Sequence, residues 1–190
     1  LIHGLERADE VDADQRRRAK TINFGILYGV SPFGLAERLQ IPRWEAKELI
    51  DAYFATYPDL RAWLDATAAE AAERGWVATM TGRRRYLRDI TSDNRTVRAG
   101  AERIAMNAPI QGTAADLIKL AMIAIDRAIA ERGMRARMLL QVHDELVFEC
   151  PEDECAPLRE LVEEAMRTAL PMSTPLAVES GVGPDWLAAH

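Results

Sequence analysis

Arg16, Lys20, Phe24 and Tyr28 recur at steps of four along one stretch of the chain. On a helix each such step advances about 400°, so the four form a slowly drifting stripe roughly 18 Å long. Two cations occupy its N-terminal half and two aromatics its C-terminal half, and the helix N-terminus adds partial positive charge at the cationic end. A nucleoside triphosphate has the matching polarity, with phosphates at one end and a stackable base and sugar at the other. Gly29, just past the aromatics, would let a flat group approach where the helix ends. The same spacing also fits a plain amphipathic helix, with Phe24 and Tyr28 in a core and Arg16 and Lys20 solvated.

A second constellation is His143-Asp144-Glu145, set between the apolar runs Arg137–Val142 and Leu146–Cys150. Adjacent carboxylates at a hairpin turn suit a hard cation that keeps waters and shares substrate phosphates, as Mg²⁺ does. Strands would hold Asp144 at a fixed point, as two-metal phosphoryl transfer needs. Asp is also common in turns for backbone reasons alone. A third set is the basic turn Gly82-Arg83-Arg84-Arg85 with Arg103, Asn107 and Gln111, again at steps of four. Arg, Asn and Gln can donate to acceptors that every base pair shows in the minor groove, which tests helix shape rather than base sequence. A polar face on the surface would look the same.

These residues need elements to position them. Asp14 is a plausible N-cap for a helix through about Tyr28, stopped by Gly29. Ser31-Pro32 opens a short helix to about Leu39, and Pro42 and Pro58 open two more. The last of these runs to Gly75 with Leu60, Trp63, Leu64, Ala68 and Ala71 on one face. Trp76–Met80 and Arg84–Leu87 read as a hairpin. A helix from about Asp93 to Asn107 is expected to break at Pro109. Another, from about Gly112 to Arg132, would bury Ala114, Leu117, Ile118, Ala121, Ile125 and Ile129. The carboxylate hairpin follows, then a helix over about Asp153–Leu170 and an edge strand at Leu176–Val182. The expected fold is α+β and helix-rich, a helical lobe followed by a mixed α/β lobe.

The chain has 190 residues, enough for one good-sized domain or two small lobes. Its 48% hydrophobic and 28% charged residues exclude disorder throughout. No unbroken apolar run approaches about 20 residues, so no membrane partner is expected, and no signal peptide is visible. The chain begins with Leu1 and reads as a piece of something longer. Cys150 and Cys155 have no zinc or disulfide-framework spacing, which fits a reduced, cytoplasmic setting. The net charge of −6 is segregated: Gln15–Lys20 holds four bases and no acid, and Asp144–Glu164 holds nine acids and one Arg. Local patches decide where a polyanion can sit.

Taken together, three strings carry a resemblance. Arg16–Gly29, reading RRRAKTINFGILYG, closely resembles motif B of the family A DNA polymerases. Gln141–Glu149, reading QVHDELVFE, is similar to that family's motif C, and Asn107–Asp116, reading NAPIQGTAAD, to the template-contacting segment between them. The resemblance runs from about Asp14 to His190. It implies the C-terminal part of a right-hand fold, with residues 1–94 as partial fingers and 95–190 as part of the palm. It implies that Arg16 and Lys20 bind the triphosphate, Lys20 also as proton donor to the leaving pyrophosphate, while Phe24 packs by the sugar. Tyr28 and Gly29 would shape the base-pair pocket. Asp144 would be a catalytic metal ligand with Glu145 supporting it, and His143 would lie near the primer terminus. Arg103, Asn107 and Gln111 would touch the minor groove. The implied partners are primer–template DNA and deoxynucleoside triphosphates, with no obligate protein partner. The implied cofactor is a pair of Mg²⁺ ions driving attack of a primer 3′-OH on the α-phosphate, as in DNA replication and repair.

The departures are specific. The family's motif A, DYSxIExR, with its second catalytic Asp, is absent from these residues. One carboxylate ligand is therefore expected from outside this chain unless Glu145 or Glu149 supplies it, and the chain alone is expected to be inactive. His3 lies too close to Lys20 for the family's phosphate-binding His, and Arg88 stands where the family has Pro. An unpaired apolar sheet face is expected to cause self-association. The competing reading is a non-catalytic nucleic-acid or nucleotide-binding module. A single-subunit RNA polymerase relative fits the HDE and QGTAAD strings less well.

Overall fold

A computed structural model describes residues 11–189, so His3 lies outside the described residues. Contacts divide the chain into two units, the first running to Ile110 and the second from Gln111. The fold is α+β and dominated by helix.

In the first unit α1 (Ala13–Leu27) starts two residues earlier than its sequence predicts. Asp12, not Asp14, is the N-cap. Its carboxylate accepts from the Gln15 N–H at 2.8 Å, and the Gln15 side-chain oxygen accepts from the Asp12 N–H at 3.0 Å. Only Asp12 has a Gln three residues on, so only it can close this reciprocal box. At the other end Gly29 sits at φ 70°, its N–H donating to the Ile26 carbonyl while the Val30 N–H donates to that of Gly25. That pair of bonds is a Schellman ending, which needs a left-handed residue where Gly29 stands.

Next come α2 (Pro32–Leu39), capped by the Ser31 hydroxyl, and α3 (Arg43–Thr56). One core gathers Ile22 and Ile26 from α1, Leu35 and Ala36 from α2, and Ala46 from α3. The Tyr53 hydroxyl donates to Asn23 Oδ1 at 2.6 Å and ties α3 to α1. Then α4 (Pro58–Arg74) ends at Gly75 and leads into the hairpin of β1 (Trp76–Ala78) and β2 (Arg84–Tyr86). Both strands are shorter than expected. Trp63 is exposed rather than buried on α4. The indole this unit uses is Trp76, whose ring carries the Arg84 guanidinium 4.3 Å from its centroid.

α5 spans Arg95–Glu131 without a break, which corrects the expected division at Pro109. An internal proline costs a helix about 3 kcal/mol. Burial on both sides of it offsets that cost: Ala101 and Ala105 join a core with Ala71, Val77, Leu87 and Ile90, and further on Ala121 and Ile125 join another with Leu161. Of the expected stripe, Ile118, Ala121 and Ile125 are buried, Leu117 and Ile129 half-buried, and Ala114 exposed. By length and composition α5 is the one described helix apolar enough to cross a membrane. Ala101, Ala105, Ala121 and Ile125 join the two cores, while Ile104, Ile110 and Ile123 are exposed.

In the second unit β3 (Arg137–Val142) and β4 (Glu145–Glu149) pair antiparallel, leaving only His143 and Asp144 in the loop. Met138 faces Phe148 and Leu140 faces Val147, so Leu139 is an extra, bulged residue. A 3₁₀ turn at Glu152–Glu154 precedes α6 (Cys155–Thr168). Glu154 clamps this turn to β3, accepting from the Arg135 and Ala136 N–H groups at 2.9 and 3.0 Å. Those bonds, with the Arg135 guanidinium, hold its carboxyl below the usual carboxylate range. No strand forms at Leu176–Val182: the segment runs as irregular chain, with Ser180 donating to Glu163. A short apolar run becomes a strand only where a partner edge receives it. A short α7 (Trp186–Ala189) ends the described residues.

Candidate functional site

The four-step stripe of α1 faces solvent. Ile22, Gly25 and Ile26 turn into the core, while Phe24 remains 48% and Tyr28 42% exposed. This excludes the alternative in which the two aromatics are core residues. Their rings stack with centroids 6.2 Å apart and planes 23° from parallel. Arg16 and Lys20 are exposed one and two turns earlier, and among the described residues neither makes an ion pair, whereas Arg17 pairs with Asp14. A groove of about 500 Å³ runs along the stripe, lined by Lys20, Thr21, Phe24, Gly25, Tyr28 and Arg38. Gly25 forms part of its lining, and a Cβ there would meet Val30 of the underlying core at 3.2 Å. The arrangement offers cations at one end of an open groove and flat apolar rings at the other.

Arg38 was missed by the sequence reading. It stands in the last turn of α2, and nothing in the local string sets it apart from a solvated helix cation. Its place beside Lys20 depends on how α2 folds back after the Schellman turn, which spacing does not encode.

The C-terminal end of the stripe meets α5. Asn107 Nδ2 donates to the Arg103 carbonyl at 2.8 Å and approaches the Tyr28 carbonyl at 3.4 Å. Arg103 and Met106 crowd Gly29 so closely that a Cβ there would stand 3.1 and 3.0 Å from their side chains. Asn107 Oδ1 is buried with no partner among the described residues, an unsatisfied acceptor where α5 meets the end of α1. Tyr28, Gly29, Arg103 and Asn107 thus come together within the first unit. Sequence reasoning had placed them in two separate sets.

The carboxylates belong to the second unit. The tight β3–β4 loop presents Asp144 to solvent, and among the described residues its carboxylate makes no hydrogen bond or ion pair. His143 sits at φ 54°, a left-handed conformation uncommon for any residue with a Cβ, and its carbonyl accepts from Gln141 Nε2 at 2.7 Å. Glu145 is half-buried at the start of β4, and Glu149 at its far end pairs with Arg137. Gln111 is exposed on α5 in this unit. Two adjacent carboxylates are hard oxygen donors that suit Mg²⁺ in number and kind, since that ion draws most of its shell from water and phosphate. Among the described residues no group of three or more metal-ligating side chains gathers. The donor set fits such an ion only as a shared one.

Comparison with known proteins gives one answer. The model of "DNA polymerase family A" matches residues 2–188. DNA polymerase I of Pseudomonas aeruginosa is 50% identical over 182 residues, 96% of this chain and 20% of that protein. The thermostable DNA polymerase I of Thermus aquaticus is 49% identical over 188 residues, 99% of this chain and 22% of that protein. Among solved structures, the POL domain of Pol1 from M. smegmatis, in complex with DNA primer-template and dNTP, aligns with TM-score 0.92 and 49% identity. The alignment covers 95% of this chain and 32% of that one. The chain therefore spans about a fifth of the length of these curated relatives.

Proposed function

Since the chain belongs to DNA polymerase family A, whose members are metal-dependent, we propose that it is the C-terminal fingers-and-palm part of a template-directed DNA polymerase. In this reading residues 1–94 are partial fingers and 95–190 part of the palm. The observation that carries it is the solvent-facing stripe of α1, where Lys20, Phe24 and Tyr28 line an open groove.

Arg16 and Lys20 grip the triphosphate, and Lys20 is placed to protonate the departing pyrophosphate. Arg38, beside them, adds a third cation. Phe24 packs against the sugar, and the Tyr28 ring with Gly29 bounds the nascent base pair. Arg103, Asn107 and Gln111 read the shape of the minor groove. Asp144 and Glu145 would hold Mg²⁺, with a further carboxylate from outside these residues, and His143 lies by the primer end. When bound, the metal supplies Lewis-acid activation of the primer hydroxyl and neutralises phosphate charge. Both substrates reach the site from a bacterial cytoplasm, consistent with the bacterial sources of the relatives named above.

The test is primer extension by the whole polymerase that contains this chain. Asp144→Ala is expected to lower kcat by about three orders of magnitude, a loss of roughly 4 kcal/mol of transition-state stabilisation. Lys20→Ala is expected to raise KM for deoxynucleoside triphosphates and lower kcat as well. Full activity in the first variant overturns the metal assignment, and unchanged nucleotide kinetics in the second overturn the triphosphate assignment. The absence of a three-ligand group among the described residues favours one second reading, that the isolated chain only binds. Salt-sensitive primer–template binding without extension by the 190-residue chain is the outcome that reading requires.

A further inference from the structure

The two cysteines stand apart from every feature used above. Cys150 follows the last residue of β4 and Cys155 is the first residue of α6. Pro151 at ψ 151° directs the chain out of the strand, and the 3₁₀ turn Glu152–Glu154 brings it back. The two Sγ atoms consequently lie 3.2 Å apart, both thiols are free, and both residues are half-buried. A disulfide bond is about 2.05 Å long, so closure needs a movement of little more than 1 Å.

We propose that Cys150 and Cys155 form a reversible intramolecular disulfide, a redox modification site at the junction of β4 and α6. The turn between them is already held. Glu154 is fixed by the Arg135 and Ala136 N–H groups, and Asp153 accepts from the Arg135 guanidinium at 2.6 and 2.7 Å. The thiols face each other before any oxidant arrives, so little chain entropy is lost on closure. The oxidant is a low-molecular-weight disulfide. One protein thiolate, its proton lost to solvent, attacks a sulfur of that disulfide and expels one small thiolate. The mixed disulfide is then attacked by the second protein thiolate, which expels the other. Two protein thiols are oxidised and one small disulfide is reduced to two thiols.

Desolvation pushes the Cys150 thiol up to about 11, with further contributions from the hydrogen bond and charge of Cys155 and from the charges of Glu154 and Asp153. Formation of the Cys150 thiolate is therefore disfavoured at neutral pH, which slows exchange at that sulfur. The surrounding carboxylates also repel anionic disulfides such as glutathione disulfide, so the dication cystamine should react faster at low salt.

The experiment incubates the chain with cystamine, and in parallel with glutathione disulfide, and reads intact mass. The expected product has lost two hydrogens, carries no adduct, gives a peptide linking Cys150 to Cys155, and returns to the starting mass with dithiothreitol. Cys150→Ser and Cys155→Ser should each keep one small-thiol adduct instead. A wild-type chain that keeps one or two adducts, or that links only between chains, overturns the proposal without reference to any variant. The readout is a mass, so failure here leaves the polymerase reading untouched, and failure of that reading leaves this one standing.

Discussion

Gly29 shows how much one backbone angle decides. It closes α1 in a left-handed conformation at φ 70°, and it lies under Arg103 and Met106. Gly29→Ala meets both obstacles, the angle and the crowding. The angle alone costs about 1–2 kcal/mol for a residue with a Cβ. Urea unfolding of the variant should show at least that loss, and a change within error would mean that the α1–α5 contact gives way readily. His143 carries the same kind of angle without being glycine, at the turn that presents Asp144. Strain of this sort is concentrated at functional turns. The sequence named both residues as site candidates, but only Gly29 announced its conformation. A histidine before an aspartate carries no marker for positive φ, because the strand register around it imposes that angle.

Among elements, the helix starts were readable and the long-range outcomes were not. Ser31 and Pro32, Pro42 and Pro58 marked α2, α3 and α4 because caps and N-terminal prolines act within a single turn. Pro109 misled for the converse reason: its local penalty is outweighed by cores to either side that no short window contains. The expected edge strand at Leu176–Val182 likewise needed a neighbouring edge, and among the described residues none receives it. The junction of β3 with α6 rests on Glu154, whose side chain is only 15% exposed. Its carboxyl titrates below its unfolded value, so its contribution is present above about pH 4.3 and fades as pH falls through the lower, folded value. Thermal melts of Glu154→Gln should be lower than wild type at pH 7 and approach it at low pH. A constant offset at every pH would remove Glu154 from the acid response.

At the scale of the whole molecule, the surface is unfinished. Leu139, the bulged residue of β3, is 54% exposed and Leu140 44%, and among the described residues the β3–β4 sheet has two strands. A bare two-stranded sheet with apolar side chains in water is a site for association. The isolated chain should elute as dimers or larger species in size-exclusion chromatography, and Leu139→Lys should shift it toward monomer. A wild-type chain that runs as a sharp monomer at high concentration would show that this face is innocuous. The expectation of an unpaired apolar face came from the missing motif A; which leucines bear it needed the bulge, since a slip of one residue exchanges the faces of a strand.

Most pairings in the fold join elements that are neighbours along the chain: β1 with β2, β3 with β4, α2 with α3. Contacts between near neighbours close short loops, the hallmark of rapid folding. The contact between Tyr28 and Asn107 is of another kind, for it joins residues 79 positions apart. A chain emerging from the ribosome can therefore build α1, stripe and all, as a local event. The contact of Tyr28 and Gly29 with Arg103, Met106 and Asn107 must wait until α5 has been synthesised and that long loop has closed. The fixed geometry around Gly29 should consequently arise late in folding, after most helix is already in place.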